Sequence, residues 1–524
     1  MSLLACQSDP DAGAAQIVRV PDETETRSWE EMPALDVTWF VRASLDIRGH
    51  RPSESELQWA IQNPDDLTDI LDTWLDSDAF AHQMAWYWND VLHTSVWIGQ
   101  EERFDRFILT DADKRSIGWE PLSYIEHTIR EDLPFTNIVT TNRVPSNEHL
   151  AGIFGDDLSD SDGDWQMTSL DREHPHAGLI ASRVLWIRHF VDILNHNRMR
   201  ANFYSSTFLC QDYLERDVAF DFSAVSLDNV EQAIREQPEC VTCHASLDPL
   251  ASVFGVFQDN INLDLDQMGM PSEFKNNWYA GWREPSYFGL PLNNLSELGA
   301  YTANDGRFAQ CMVERTWDFL VEDSTLPDLD RFSLTDIFVA SDYRIDEVVK
   351  RIVQSPEYLA QPPRVLRPEQ LLQTLVEIST IDQEQELNGE EGIGQLVWSP
   401  THRVLFGSTD DVGVLTANPA FTVGHHLALQ WLTEQLSEVI VNDLRLPPPA
   451  RVLLNQMDVD TEADVLRQII FWKRTLHSEW VDESSEEVER LFALWDDLAS
   501  TDGEVVAWST VLAVLLHDPK AVLR

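Results

Sequence analysis

Lysine is almost missing from this sequence: Lys114, Lys275, Lys350, Lys473 and Lys520 are the whole set. Lys and Arg together number 37 against 90 Asp and Glu, a formal net charge of -53. Such a surface repels phosphate backbones and anionic membranes, so nucleic acid is not an expected partner. The charge reads either as a solvated, solubilising surface or as adaptation to salty surroundings, where counter-ions screen the repulsion. No run of about 18 apolar residues occurs, and no transmembrane helix is expected. Cysteine is scarce as well, with Cys6, Cys210, Cys240, Cys243 and Cys311 only. That is too few for a disulfide scaffold, or for a Cys-only zinc site beside anything else. No G-x-S-x-G, P-loop or H-E-x-x-H pattern is present.

What is abundant points to packed cores. Hydrophobic residues make up 43% of the 524, and 19 Trp are spread from Trp29 to Trp508. Aromatics distributed in this way argue for a globular body along most of the chain. The length suggests roughly three to four domains. Apolar residues recur at helical spacing almost throughout, as in Leu57, Ile61, Leu67, Ile70, Leu71, Leu75 and Phe80. Further helices are expected over 119–133, 179–195, 200–215, 343–359, 367–379, 423–444, 462–478 and 485–498. The fold class is therefore mainly α: a multi-domain helical protein with one chemically distinctive region. A short β element is expected only near Val404-Leu405-Phe406. Composition breaks place domains at 31–154, 173–360 and 364–524, after a flexible, acidic stretch over 1–30.

Within that stretch, Leu3-Leu4-Ala5-Cys6 has the form of a bacterial lipobox, in which Cys6 would carry lipid. A working signal needs a basic start and an apolar segment ahead of it, which places the true start upstream if the match is real. Asp160-Ser161-Asp162-Gly163-Asp164 has the look of a calcium loop, but Trp165 stands where Gly is needed and Asp171 where Glu is needed. It reads as a solvated loop. His425-His426, ahead of an apolar helix face, reads as packing.

One short run carries chemistry: Cys240-Val241-Thr242-Cys243-His244. On a helical turn the two thiols lie three residues apart on one face, where they can add to the two vinyl groups of a haem. The adjacent His then lies beneath the ring and can bind iron. The same residues also permit a CxxC dithiol or disulfide with an incidental His, or half of a zinc site. The helical surroundings do not suit a thioredoxin-like pair, which needs a βαβ setting. Pro249 lies close enough for a nearby carbonyl to accept the His244 ring N–H and orient the imidazole. On this reading the cofactor is one haem c, held by Cys240, Cys243 and His244.

The run from Cys240 to Leu250 resembles the CxxCHxxxDPL core of the planctomycete-type cytochrome c family, exported bacterial proteins built of adjoining uncharacterised domains. The likeness continues in order along the chain. Val41 to Pro52 resembles an opening RxSLDLRGxRP block, and Trp74 to Trp88 a helix ending in Trp. Glu131 to Phe135 resembles a DLPF turn, His176 to Ile180 an HAGxL block, and Asn197 to Cys210 an NRxRANxFYxxFLC block. Arg367 to Leu372 and Arg403 to Gly407 resemble C-terminal blocks. After Pro249 the chain departs, with Ser252-Val253-Phe254-Gly255-Val256-Phe257-Gln258 in place of the family's GxxxExFDxxGxxR. The resemblance implies export and a haem; it implies no particular reaction.

The second axial ligand is expected among His176, Met268, Met270 and His196, with Met raising the potential, unless the iron is five-coordinate. Cys210 and Cys311 read either as a disulfide in an oxidising compartment or as buried free thiols. Three functions compete. The first is electron transfer with a periplasmic or surface partner. The second is a haem enzyme with an open, peroxidase-like iron site. The third is a non-redox envelope scaffold. Contact with a membrane is expected only through a lipid on Cys6.

Overall fold

Helix starts are written into the chain as capping residues. In the computed structural model, Thr110 and Asp113 form a reciprocal box at the head of the Asp111–Arg130 helix. Ser53 and Glu56 do the same for Glu54–Gln62, and Asp36 accepts from Trp39 N to start Val37–Arg48. Each cap satisfies backbone N–H groups that the first turn leaves orphaned. The structure describes residues 35–100, 107–158, 165–169, 176–189, 197–216, 230–257, 283–321, 325–379, 381–382, 392–457 and 461–523. These are mainly helical, as expected. Cys6, His196, Met268, Met270 and the 160–164 loop lie outside the described residues.

Contacts gather the chain into two units, Glu101–Arg351 and a second made of Glu30–Gln100 with Ile352–Arg524. Composition breaks had suggested consecutive blocks; contacts join the chain's early and late segments instead.

The first unit packs its helices around Trp186, Phe208, Phe254 and Trp317, all fully buried. Two short antiparallel strand pairs accompany them. Arg143–Ser146 pairs with Gln166–Ser169, placing Val144 opposite Thr168. Ser286–Tyr287 pairs with Leu290–Pro291 through Phe288 and Gly289, both at positive φ, the twist that suits a two-residue turn. The Arg198–Leu209 helix ends at Cys210, which is disulfide-bonded to Cys311 of the Gly306–Leu320 helix with Cα atoms 5.2 Å apart. Of the two readings of these cysteines, the pair is the one realised.

The second unit contains Val37–Arg48, Glu54–Gln62, Asp78–Leu92, Pro368–Glu377, Val423–Asp443, Glu462–His477, Glu486–Thr501 and Glu504–Leu516. Its core includes Trp74, Trp88, Trp472 and Trp508. Gly49 ends the first of these helices at φ 75, and a Cβ there would collide with Gln83 Oε1. Arg51 is buried and donates to the carbonyls of Lys520 at 2.7 Å and Leu523 at 2.9 Å, tying the last short helix to the start of the unit. Asp411, fully buried, accepts from Asn89 Nδ2 at 3.0 Å, Ser95 Oγ at 2.9 Å and Val96 N at 2.9 Å.

The helices expected over 179–195 and 200–215 are shorter among the described residues, Arg183–Arg188 and Arg198–Leu209, and two further local expectations are corrected. Val404 and Leu405 belong to a helix, Pro400–Leu405, that runs into Phe406, and not to a β element. Pro400 opens that helix and Ser399 caps it, signals that outweigh a three-residue apolar run too short to reveal its period. The single helix expected over 343–359 is two, Ile345–Ile352 and Pro356–Leu359. Ser355 caps the second, and the residue before a proline resists helical backbone angles.

Candidate functional site

The motif lies on the Pro238–Val253 helix, with Pro238 in the first turn, where its missing N–H costs nothing. Cys240, Cys243 and His244 stand at i, i+3 and i+4 and therefore share one helical face. Cys240 is buried, Cys243 is half-buried, and both are free thiols. Burial pushes the Cys240 thiol up, and Glu239 and Cys243 add to the effect, so it is poorly disposed to act as a thiolate.

His244 is held from below. Its Nδ1–H donates to Asp248 Oδ1 at 2.8 Å, one turn along the same helix. The sequence had suggested a backbone carbonyl near Pro249 for this role. The i,i+4 spacing brings a carboxylate to the ring instead. With Nδ1 engaged, Nε2 is the nitrogen open to a metal, and the side chain is 21% exposed against 3% for Asp248.

Asp248 has partners of its own. Arg198, in the first turn of its helix, places Nε 2.8 Å from Oδ1 and Nη2 3.3 Å from Oδ2. Arg283 Nε lies 3.9 Å from Oδ2. Burial alone would raise the Asp248 carboxyl, but the bonds from His244 and Arg198 and the Arg198 charge hold it below the usual carboxylate range. It therefore stays ionised beside the imidazole.

The 197–213 segment braces the motif helix a second time. Tyr213 and Ser246 meet hydroxyl to hydroxyl at 2.9 Å, and Asn202 Oδ1 accepts from Tyr213 N at 2.7 Å. The Ser286–Pro291 hairpin also packs on the motif helix. At the far end of that helix, Phe254 packs against Trp186, with ring centroids 4.6 Å apart, and against Tyr204 at 5.7 Å.

His176, the first sequence choice for a second ligand, is buried and stacks on Tyr124 of the Asp111–Arg130 helix, with ring centroids 6.4 Å apart. His425 accepts from Thr422 N at 3.1 Å within a helix cap, the packing role expected of it. Among the described residues, no cluster of three or more His, Cys, Asp or Glu side chains forms a metal cage of protein ligands alone.

The residues present fit a covalently held haem: two free thiols and an imidazole on one face, with the outer ring nitrogen open. Comparison with known proteins bears on the other end of the chain. Residues 20–152 match a protein family of unknown function, DUF1549 (PSCyt2). The match takes in the Val41–Pro52, Trp74–Trp88 and Glu131–Phe135 blocks, and is consistent with the resemblance those blocks carry. The DUF1549 match stops short of the motif helix and covers less than half of the chain. No curated protein matches the chain. No solved structure matches it either.

Sequence reasoning missed Arg198 and Tyr213. Both lie in or beside the Asn197–Cys210 block, but neither has a periodicity linking it to its partner, 50 residues on for Arg198 and 33 for Tyr213.

Proposed function

We propose that this chain is an exported c-type haem protein that exchanges electrons with a partner in the periplasm or at the cell surface. The observation that carries this reading is the His244 ring, fixed by Asp248 with Nε2 open, on the helical face that also presents the free thiols of Cys240 and Cys243. A bound haem supplies one-electron chemistry at iron. Cys240 and Cys243 would tether it, and His244 would bind its iron through Nε2. His176, Met268, Met270 and His196 stand as candidates for a second ligand.

Export is supported by the Cys210–Cys311 disulfide, since such bonds persist in oxidising compartments. The lipobox-like Leu3–Cys6 run points the same way, with Cys6 as the lipidated residue and the membrane reached through that anchor. No helix among the described residues is long and apolar enough to cross a membrane.

A peroxidase-like enzyme is the second reading, and the carboxylate behind His244 favours it, because a carboxylate partner makes the imidazole a stronger donor. One experiment addresses both. The protein is produced in a host with cytochrome c maturation, and its absorption spectrum is recorded oxidised and reduced. A c-type spectrum supports the haem assignment, and the ligand-sensitive bands separate a closed, six-coordinate iron from an open one. A colourless protein contradicts both readings.

A further inference from the structure

We propose that Arg198, Asp248 and His244 form a hydrogen-bonded chain that sets the electron affinity of iron bound at His244. The proposal rests on the haem reading and adds to it the residues that tune the site. Asp248 is 3% exposed, so its charge is little diluted by water. It accepts His244 Nδ1–H at 2.8 Å. An imidazole that donates to a full carboxylate is more basic at Nε2 and gives more electron density to a metal there, which favours ferric over ferrous iron.

Arg198 opposes this. Its guanidinium grips both carboxylate oxygens and shares Oδ1 with His244. Each bond that Arg198 draws from Asp248 weakens the pull on the His244 proton. Arg283, 3.9 Å from Oδ2, adds a second cation on the same side. The potential is therefore set by a competition for one carboxylate. Asp248 lowers it, and the arginines restrain that lowering. Asp248 and Arg198 are positioning residues in this account, since they act through His244.

The test is a spectroelectrochemical titration of the full-length, haem-loaded protein and three variants. Asp248→Asn keeps the shape and a neutral acceptor but loses the charge. Asp248→Leu loses both. Arg198→Gln frees the carboxylate for His244. The midpoint is expected to rise in Asp248→Asn by on the order of tenfold in the reduced-to-oxidised ratio, about 59 mV for one electron. It should rise further in Asp248→Leu and fall in Arg198→Gln. Equal midpoints for Asp248→Asn and Asp248→Leu mean that charge alone matters and overturn the hydrogen-bonded chain. An unchanged midpoint in Asp248→Asn overturns it outright. Should Asp248→Leu fail to fold, the opposite signs of the other two variants decide the matter. A wild-type protein that carries no haem removes the parent reading, and this inference falls with it.

Discussion

Asp248 stands one helical turn beyond His244 and accepts a hydrogen bond from its Nδ1–H at 2.8 Å. Because Nδ1 is occupied, only Nε2 remains to meet a metal, and the ring is held in that orientation before any ligand arrives. The local geometry thus does for His244 what a second ligand shell does in metalloproteins generally.

The Cys210–Cys311 bond closes a loop of 101 residues in sequence. Cross-links of this kind stabilise mainly by restricting the unfolded chain, typically by about 2–4 kcal/mol. Replacing both cysteines with alanine is expected to lower the unfolding free energy by about that amount. Denaturant titration of the first unit's tryptophan fluorescence checks it. An unchanged midpoint would mean that the two thiols are not joined in solution.

Asp411 is expected to be a major stabilising carboxylate of the second unit. Burial would raise its carboxyl, yet contacts with His93, the Arg403 charge and the bond from Val96 N hold it below the usual range. The folded state therefore binds its proton less readily than the unfolded chain. The stability it contributes is present above the unfolded value, about 3.9, and is lost as pH falls through the folded value. Asp411→Asn tolerates the positive φ of this position. It should cost about 2–3 kcal/mol at neutral pH. The difference from wild type should shrink as pH drops below about 4. Unfolding free energies measured from pH 3 to 7 on both proteins test the sign, and a constant difference would contradict it.

Gly49→Ala is expected to destabilise the second unit by about 1–3 kcal/mol through backbone strain at positive φ. The added methyl also meets Gln83 Oε1. A Gly49→Ala, Gln83→Ala double variant separates the two: it recovers the collision but not the strain. Full recovery in a melting experiment would show that the φ angle contributes nothing.

Much of this was legible in the sequence, and the limits have physical causes. The Cys240–His244 run could be read directly, because a five-residue pattern is local, but the Pro238–Val253 helix that carries it was not among the helices expected from periodicity. Asp248 is visible in the DPL run, and its i,i+4 spacing already sets it beside His244, a stronger signal than any carbonyl near Pro249. Arg198 was not legible as a partner, since nothing in periodicity links residues fifty apart. The pairing of Cys210 with Cys311 stood in the sequence as one of two readings, whereas the joining of Glu30–Gln100 with Ile352–Arg524 was not legible. Composition breaks mark where a chain turns. They do not say which distant segment it returns to.

With 90 acidic against 37 basic residues, the folded chain gathers repulsion that expansion would relieve. Screening shortens from about 10 Å at 0.1 M salt to about 3 Å at 1 M. The melting temperature is therefore expected to rise between low and molar sodium chloride. Chloride avoids the separate stabilisation given by sulfate or phosphate. A flat or falling curve would mean that the carboxylates are already neutralised, and repeating the scan with a chelator would show whether bound cations do so.

The central claim is that Cys240 and Cys243 hold haem through thioether bonds. Mass spectrometry of the proteolytic peptide spanning Cys240 to His244, from protein made in a maturation-competent host, tests this most directly. One haem is expected on that peptide in the wild type and none in a Cys240→Ala, Cys243→Ala double variant. An unmodified peptide with two free thiols, or one joined as a disulfide, would contradict it.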